Sequence, residues 1–138
     1  GAMLTTASIA PSLRPGMHAA TFGGNPIAAR AGIATIEMIE EGNLLDRVRE
    51  LEQGFRTWLE PLTETIAIVK EVRICGLMVG IELQVDGTPI VAECMKRGLL
   101  INCTQQTVVR LLPAMILSDA ELQEGCEILI DVLQNHIT

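Results

Sequence analysis

Aromatic residues are scarce in this chain of 138 residues, which contains two phenylalanines, one tryptophan and no tyrosine. Apolar residues nevertheless make up 49% of the sequence, so its hydrophobic content is mainly aliphatic. The longest apolar run, Leu111–Leu117, is far too short to cross a bilayer. A single domain of this length can bury a sizeable core. Because the aliphatic content is unusually high, we expect a second subunit or another domain to cover part of the surface.

Positive charge and paired cysteines are also lacking. Ten Lys and Arg residues face seventeen Asp and Glu residues, and the net charge of −7 excludes nucleic acid and anionic membranes as expected partners. The four cysteines contain no C-x-x-C pair and match neither a zinc site nor a redox motif. No signal peptide is visible. We therefore expect a cytoplasmic protein with buried free thiols and no metal site.

The periodicity of the apolar residues predicts both helices and strands. Helices are predicted over Thr6–Leu13, Pro26–Glu41, a third segment capped by Asn43 and ended by Pro61, Thr88–Lys96, and a last segment that opens with the capping box Ser118–Glu121. Strands are predicted over Ile66–Val72, Leu77–Leu83, Leu99–Cys103 and Val108–Leu112. This order predicts an α+β fold in which helices pack on an antiparallel or mixed sheet. The helix over Pro26–Glu41 is apolar on nearly all sides, which is typical of a buried helix.

The segment from His18 to Pro26 reads H-A-A-T-F-G-G-N-P and places two glycines before a helix start. Asn25 is a favoured N-cap residue, and Pro26 is favoured at the first helical position. Backbone N–H groups at a helix start attract anions, and the hydroxyl of Thr21 adds a donor for a phosphate or a carboxylate. Two interpretations fit the spacing: an anion site, or a glycine turn that caps an ordinary helix.

Few side chains are candidates for catalysis. The two histidines, His18 and His136, lie near opposite ends of the sequence, and we assign neither as a general base. Lys70 and Lys96 are the only lysines, and charged neighbours favour a solvated ammonium over a nucleophile at each position. The residues alone therefore predict no self-contained active site.

Arg110 lies in the otherwise apolar strand Val108–Leu112. A guanidinium in such a strand needs a partner if it is buried. Two interpretations are open: an edge-strand arginine that faces water, or a guanidinium that binds a carboxylate through two parallel hydrogen bonds.

Four segments considered together suggest a family: His18–Pro26, Gly76–Leu83, Gly98–Asn102 and Arg110–Pro113. In this order they resemble the C-terminal part of the class-III, pyridoxal-phosphate-dependent aminotransferases, and the resemblance covers essentially the whole chain. It implies the α+β small domain of a fold-type I enzyme, in which helices pack on a three- to four-stranded, mainly antiparallel sheet. Within the family, the G-L-L-I-N and R-x-L-P elements favour transfer of the ω-amino group of N-acetylornithine to 2-oxoglutarate, in arginine biosynthesis. Ornithine, succinylornithine and 4-aminobutyrate are the alternative amino donors.

The resemblance implies roles for three residues. Thr21 matches a threonine that reaches across a homodimer to the phosphate of pyridoxal 5'-phosphate in the neighbouring subunit. Ala20 matches a substrate-contacting position that is often Ser, and the alanine lacks that hydroxyl. Arg110 matches the arginine that recognises a substrate carboxylate. The implied partners are a second subunit and small amino and oxo acids.

The resemblance also implies which parts of the enzyme this chain does not supply. In the family, the lysine that binds the cofactor covalently lies upstream of the segment that matches Gly1–Leu4, so no catalytic residue is assigned and the chain alone is expected to be inactive. Residues 1–24 match part of the large domain with the dimer-crossing cofactor loop, and residues 25–138 match the small domain. Ile74 and Ala114 stand where the family has Gly and Pro, which affects local turns.

A second hypothesis belongs to a different class of protein. A free-standing α+β module could serve interaction or regulation without catalysis, and it would be a highly soluble monomer. A separated segment of an aminotransferase would instead expose aliphatic surface and self-associate. The resemblance favours the aminotransferase.

Overall fold

The computed structural model describes residues 3–135, which form two compact units divided between Asn43 and Leu44. The first unit contains a short 3₁₀ helix, Ala10–Ser12, and helix α1, Pro26–Glu41. The second contains helices α2 (Leu44–Leu59), α3 (Leu62–Thr65), α4 (Thr88–Lys96) and α5 (Asp119–Asn135), and strands β1 (Val69–Cys75), β2 (Met78–Leu83), β3 (Asn102–Thr104) and β4 (Val108–Leu111). None of the helices in the described part of the chain is long and apolar enough to span a membrane.

Helix α1 begins and ends where the sequence predicts. The side-chain oxygen of Asn25 accepts hydrogen bonds from the N–H groups of Ile27 at 2.8 Å and Ala28 at 3.3 Å, and Gly42 follows the last turn. No residue of α1 is buried, and the Ile27 side chain is 81% exposed. The expectation of a helix buried on all sides is therefore wrong for this chain by itself.

The helix predicted over Thr6–Leu13 is much shorter in the structure. Only Ala10–Ser12 is helical, and the residues before it form turns. Pro11 lacks an N–H group and so cannot donate to an α-helical ladder at this point.

The sheet of the second unit has four strands in the order β1-β2-β4-β3, and every neighbouring pair is antiparallel. The predicted α+β fold on an antiparallel sheet is thus confirmed. A glycine at position 76, with φ of +55°, forms the tight β1–β2 turn. Gln105 and Gln106 also adopt positive φ, of 52° and 64°, in the β3–β4 connection, although neither residue type favours this conformation.

One face of this sheet forms the core together with the helices. In the two central strands, Val79, Ile81 and Val109 are completely buried, and the residues that alternate with them lie on the opposite face. Leu51 and Phe55, which lie one helical turn apart on α2, are buried in the same cluster. The second unit therefore has one continuous core beneath one face of the sheet.

Two strands begin three residues later than predicted, and β1 also ends three residues later, at Cys75. Strand β1 begins three residues later than Ile66, because the chain first forms the one-turn helix α3 and then buries Ile66 in the core. Strand β3 begins at Asn102 rather than at Leu99, because the half-buried Leu99 and Ile101 pack against the core without pairing in the sheet. In both places apolar side chains reflect burial rather than strand pairing.

Candidate functional site

The face of the sheet opposite the core carries the chain's candidate substrate-binding arginine. The strand register places Arg73 of β1, Gly80 of β2, Arg110 of β4 and Asn102 of β3 in one row across all four strands. Directly paired residues of neighbouring strands project from the same face, so the side chains of this row stand next to one another. We call the face of the sheet that carries this row, Arg73, Gly80, Arg110 and Asn102, the open face. Gly80 leaves a gap between the two arginines.

Arg110 has one hydrogen-bonding partner among residues 3–135. Its Nε donates to the side-chain oxygen of Asn102 at 3.2 Å. No carboxylate of the described residues pairs with it, so the two terminal nitrogens of its guanidinium are available to a ligand. Strand β4 lies between β2 and β3, so the interpretation of Arg110 as an edge-strand residue is wrong. The arginine nevertheless occupies an exposed position in an interior strand.

Arg73, the other arginine of the row, is neutralised by carboxylates. It pairs with Glu71 and, at 2.7 Å, with Glu82. Glu82 also accepts a hydrogen bond from Lys70 at 2.5 Å, and the hydrogen bonds from Lys70 and Arg73 lower the pKa of Glu82. The same contact raises the pKa of Lys70, which keeps this amine protonated. Within the described residues, Arg110 is therefore the cation of the row without a carboxylate partner.

The predicted phosphate contact, Thr21, lies in the turn that precedes α1. The turn is closed by a hydrogen bond of 3.1 Å from the Gly23 N–H to the carbonyl oxygen of Ala20. Within residues 3–135, the Thr21 hydroxyl and the N–H groups of Thr21, Phe22 and Gly24 have no hydrogen-bonding partner. All these residues are exposed. A hydroxyl and several free N–H groups before a helix N-terminus are a donor set that fits a phosphate group.

Ala20 stands beside Thr21, as the sequence requires, and it brings no polar side chain. Its carbonyl oxygen is already used in the turn. Any contact of the Ala20 side chain with a ligand is therefore limited to its methyl group. Ala20 and Thr21 belong to the first unit, and Arg110 belongs to the second.

The other lysine, histidine and cysteine side chains lie in several different environments. Lys96 pairs with Glu93 at 2.9 Å in the last turn of α4. His18 is exposed, and His136 lies outside the described residues. Burial raises the pKa of the Cys94 thiol to about 11 and that of Cys126 to about 12. No group of metal-ligating side chains that could hold an ion occurs in the described part of the chain.

Gly80 and Asn102 are members of the site to which the sequence alone assigns no role. Asn102 ends the G-L-L-I-N motif, but only its pairing with Arg110 reveals a partner for the guanidinium. Gly80 is separated from Arg110 by thirty positions, and no local pattern links them. The register of the sheet is the signal that brings these residues together.

The model of the family described as Aminotransferase class-III matches residues 1–133 of this chain. The chain belongs to the class-III aminotransferases. The acetylornithine aminotransferase of Methanocaldococcus jannaschii is 42% identical over 138 residues, which is 100% of this chain and 34% of that protein. This chain thus spans about a third of the length of the curated relatives it matches.

Solved structures of acetylornithine and ornithine aminotransferases have the same fold. The acetylornithine aminotransferase from Elizabethkingia anophelis superposes with a TM-score of 0.83 at 26% identity, over 96% of this chain and 34% of that chain. The ornithine delta-aminotransferase of Plasmodium falciparum gives a TM-score of 0.87 at 26% identity, over 97% of this chain and 36% of that chain. The expected α+β small domain of this family is confirmed.

Proposed function

We propose that this chain is part of an aminotransferase that moves the ω-amino group of N-acetylornithine to 2-oxoglutarate with the help of pyridoxal 5'-phosphate. The observation that carries the proposal is Arg110, an exposed guanidinium with free terminal nitrogens on the open face. Both substrates are carboxylates, for which a guanidinium is the best-matched protein donor. The 42% identity to an acetylornithine aminotransferase supports this choice of amino donor.

Arg110 would hold a substrate carboxylate through its two terminal nitrogens. The hydrogen bond from its Nε to Asn102 restrains the plane of the guanidinium, so less freedom is lost when the carboxylate binds. Fixing the carboxylate positions the rest of the substrate for reaction, which is the main service that a binding arginine gives to catalysis. Ala20 would contact the substrate only through its methyl group and would leave space where many relatives are expected to carry a hydroxyl.

Thr21 would contact the phosphate of the cofactor held by the neighbouring subunit of a homodimer. Its free hydroxyl and the free N–H groups of Phe22 and Gly24 support this assignment, because phosphate oxygens accept several such bonds at once. Bound pyridoxal phosphate would supply the electron sink for amino transfer. The contribution of this segment would be to bind and orient that group from across the dimer.

The covalent attachment of the cofactor would depend on residues outside this chain. Both lysines, Lys70 and Lys96, form ion pairs with glutamates, which favours their protonated and non-nucleophilic form. We therefore propose that the 138-residue chain alone does not transaminate. In the complete cytoplasmic enzyme, residues 1–24 would belong to the large domain and residues 25–138 to the small domain.

The exchange of Arg110 for lysine in the complete enzyme tests the substrate assignment. Lysine keeps the positive charge but loses the two parallel donors, and we expect the KM for 2-oxoglutarate to rise by about 10- to 100-fold. Thermal stability should stay unchanged, because Arg110 is exposed and binds only Asn102 among the described residues. Arg49→Lys on α2 is the matched control, since Arg49 is exposed and, among the described residues, pairs only with Asp46.

Equal KM values for 2-oxoglutarate in the wild type and in Arg110→Lys would contradict the proposal. A second amino donor is tested in the same assay, since the ornithine delta-aminotransferase superposes on this chain as well as the acetylornithine enzyme does. A higher kcat/KM for ornithine than for N-acetylornithine would replace the proposed donor and leave the role of Arg110 intact.

A further inference from the structure

Gly80 occupies the centre of the open face, where a glycine has no structural reason to stand. Its φ is not in the positive range that favours glycine. A methyl group added at Gly80 would meet only Val108 Cγ1, at 3.6 Å, which is an ordinary van der Waals contact. Glycine in the interior of a strand weakens it, and it often marks a place that a ligand or another backbone approaches closely. The sheet itself therefore does not require glycine at this position, and the requirement comes from something that approaches the open face.

The surroundings of Gly80 indicate what approaches it. The residues that line a groove here include Gly80, the two arginines Arg73 and Arg110, and the apolar residues Met78 and Val108. Arg73 is already neutralised by its glutamate partners, whereas Arg110 has no carboxylate partner within residues 3–135. One positive charge of the groove, that of Arg110, is thus left without a negative partner.

The geometry of Arg110 also restricts the direction of approach. Its Nε is used by Asn102, which lies on the β3 side of the arginine. The terminal nitrogens remain for the ligand, and the other neighbour of Arg110 across the sheet is Gly80. The Cβ atoms of directly paired residues lie about 4.5–5.5 Å apart, so a Cβ atom introduced at position 80 would lie next to that of Arg110. A larger residue at position 80 would therefore fill the space from which a carboxylate can reach both terminal nitrogens.

From these contacts we infer that Gly80 keeps the approach to Arg110 open for the carboxylate of the oxo-acid substrate. This inference rests on the proposed role of Arg110 in the aminotransferase. Gly80 is a positioning residue, because it acts through the space it leaves beside the guanidinium. The occupant is a small carboxylate rather than a protein segment, since the unmatched positive charge is confined to one side chain.

Two substitutions of increasing size at Gly80 test the inference in the complete enzyme. Gly80→Ala adds one methyl group that the sheet accommodates, and Gly80→Val also has the higher β-propensity. We expect the KM for 2-oxoglutarate and the Kd for glutarate, an unreactive dicarboxylate, to rise by about twofold in Gly80→Ala and about tenfold in Gly80→Val. The maximal rate at saturating oxo acid should change much less than the KM. The melting temperature should not fall in either variant.

Gly125→Ala is the matched control. Its added methyl group would meet Leu99 Cδ1 at 3.5 Å, which is an equally ordinary contact, but Gly125 belongs to helix α5 and not to the open face. This variant should bind glutarate like the wild type. A change in glutarate affinity in Gly125→Ala equal to that in Gly80→Val would overturn the inference, because the effect would then not be specific to the groove.

The variant Arg110→Lys separates failure of the inference from failure of the proposed function. If Arg110→Lys weakens glutarate binding and Gly80→Val does not, the role of Gly80 is wrong and the role of Arg110 stands. If neither variant changes glutarate binding, the open face does not bind the carboxylate and both proposals are wrong. If Gly80→Val lowers the melting temperature or dissociates the oligomer at unchanged glutarate affinity, another protein segment covers Gly80 and the inference is refuted.

Discussion

Replacing Gly54 of α2 by alanine has two effects of similar size and opposite sign on the free energy of unfolding, because Gly54 lies at the contact between α2 and α5. In the interior of a helix, alanine is favoured over glycine by about 1 kcal/mol. The new methyl group, however, would lie 3.1 Å from Cδ1 of the buried Leu122 and 3.5 Å from its Cδ2. Since both methyl groups of the leucine face Gly54, rotation of the leucine exchanges one close contact for another.

The two helices cannot easily move apart to relieve this contact. Nη2 of Arg47 on α2 donates to the carbonyl oxygen of Leu117 and to the carboxylate of Asp119, both at 2.7 Å, at the start of α5. Overpacking of a closed interface costs about 1–3 kcal/mol. We therefore expect Gly54→Ala to lower the free energy of unfolding by about 1 kcal/mol in total.

The same substitution at Gly125 provides the comparison. Its methyl group would have an ordinary contact at 3.5 Å, so the helical preference of alanine should dominate and raise stability by about 0.5–1 kcal/mol. Urea unfolding of the 138-residue chain, compared at one protein concentration because self-association shifts the midpoint, measures both variants, with the slope m unchanged and the midpoints displaced in opposite directions. Shortening the leucine, in the double variant Gly54→Ala/Leu122→Val, should recover part of the loss. Stabilisation by Gly54→Ala as large as that by Gly125→Ala would refute the reasoning about the interface.

Two further properties follow from the titratable groups. The pKa of Glu52 is lowered mainly by the hydrogen bond from an arginine one turn later, and that of Glu121 mainly by the backbone N–H at the start of its capping box. Because the pKa values of the folded chain lie below the ordinary value of 4.5, this stabilisation is present above pH 4.5 and is lost as the pH falls through the folded values. The urea midpoint should therefore fall as the pH is lowered, and it should fall less steeply in the double variant Glu52→Gln/Glu121→Gln. An equally steep fall of the midpoint in both proteins would contradict the assignment. A thiol reagent at pH 8 should modify the exposed Cys75 in the native chain, whereas Cys94 and Cys126, buried and with raised pKa values, should react only after unfolding; mass spectrometry of the labelled chain would detect the contrary result of equal rates.

Local residue types predict the ends of several elements well. Asn25 caps α1 through its side-chain oxygen, and the Ser118–Glu121 capping box forms in full, with both side chains bonded to the backbone N–H groups. Such signals work because the interacting groups are two or three residues apart, so distant parts of the chain have little influence on them. The buried face of α2 is equally well predicted from the sequence, since the helical period alone places Leu51 and Phe55 on one face.

Burial and strand ends are harder to predict from sequence where apolar residues can pack in more than one way. Helix α1, which is apolar on nearly all sides, has no buried residue in this chain. Its composition indicates that a partner surface is needed, but it does not indicate which one. Leu99 and Ile101 have the pattern of a strand and instead pack on the core beside it. The periodicity of apolar residues reports that they are buried, and it does not report which neighbour buries them.

The sequence by itself determined the α+β class, the family resemblance and the importance of Thr21 and Arg110 as candidate contacts. Only the tertiary structure placed Arg73, Gly80, Arg110 and Asn102 in one row and left Arg110 without a carboxylate partner among the described residues. The physical reason is that strand pairing joins residues far apart in sequence. The register is decided by the burial of a whole face of the sheet, and no short segment contains that information.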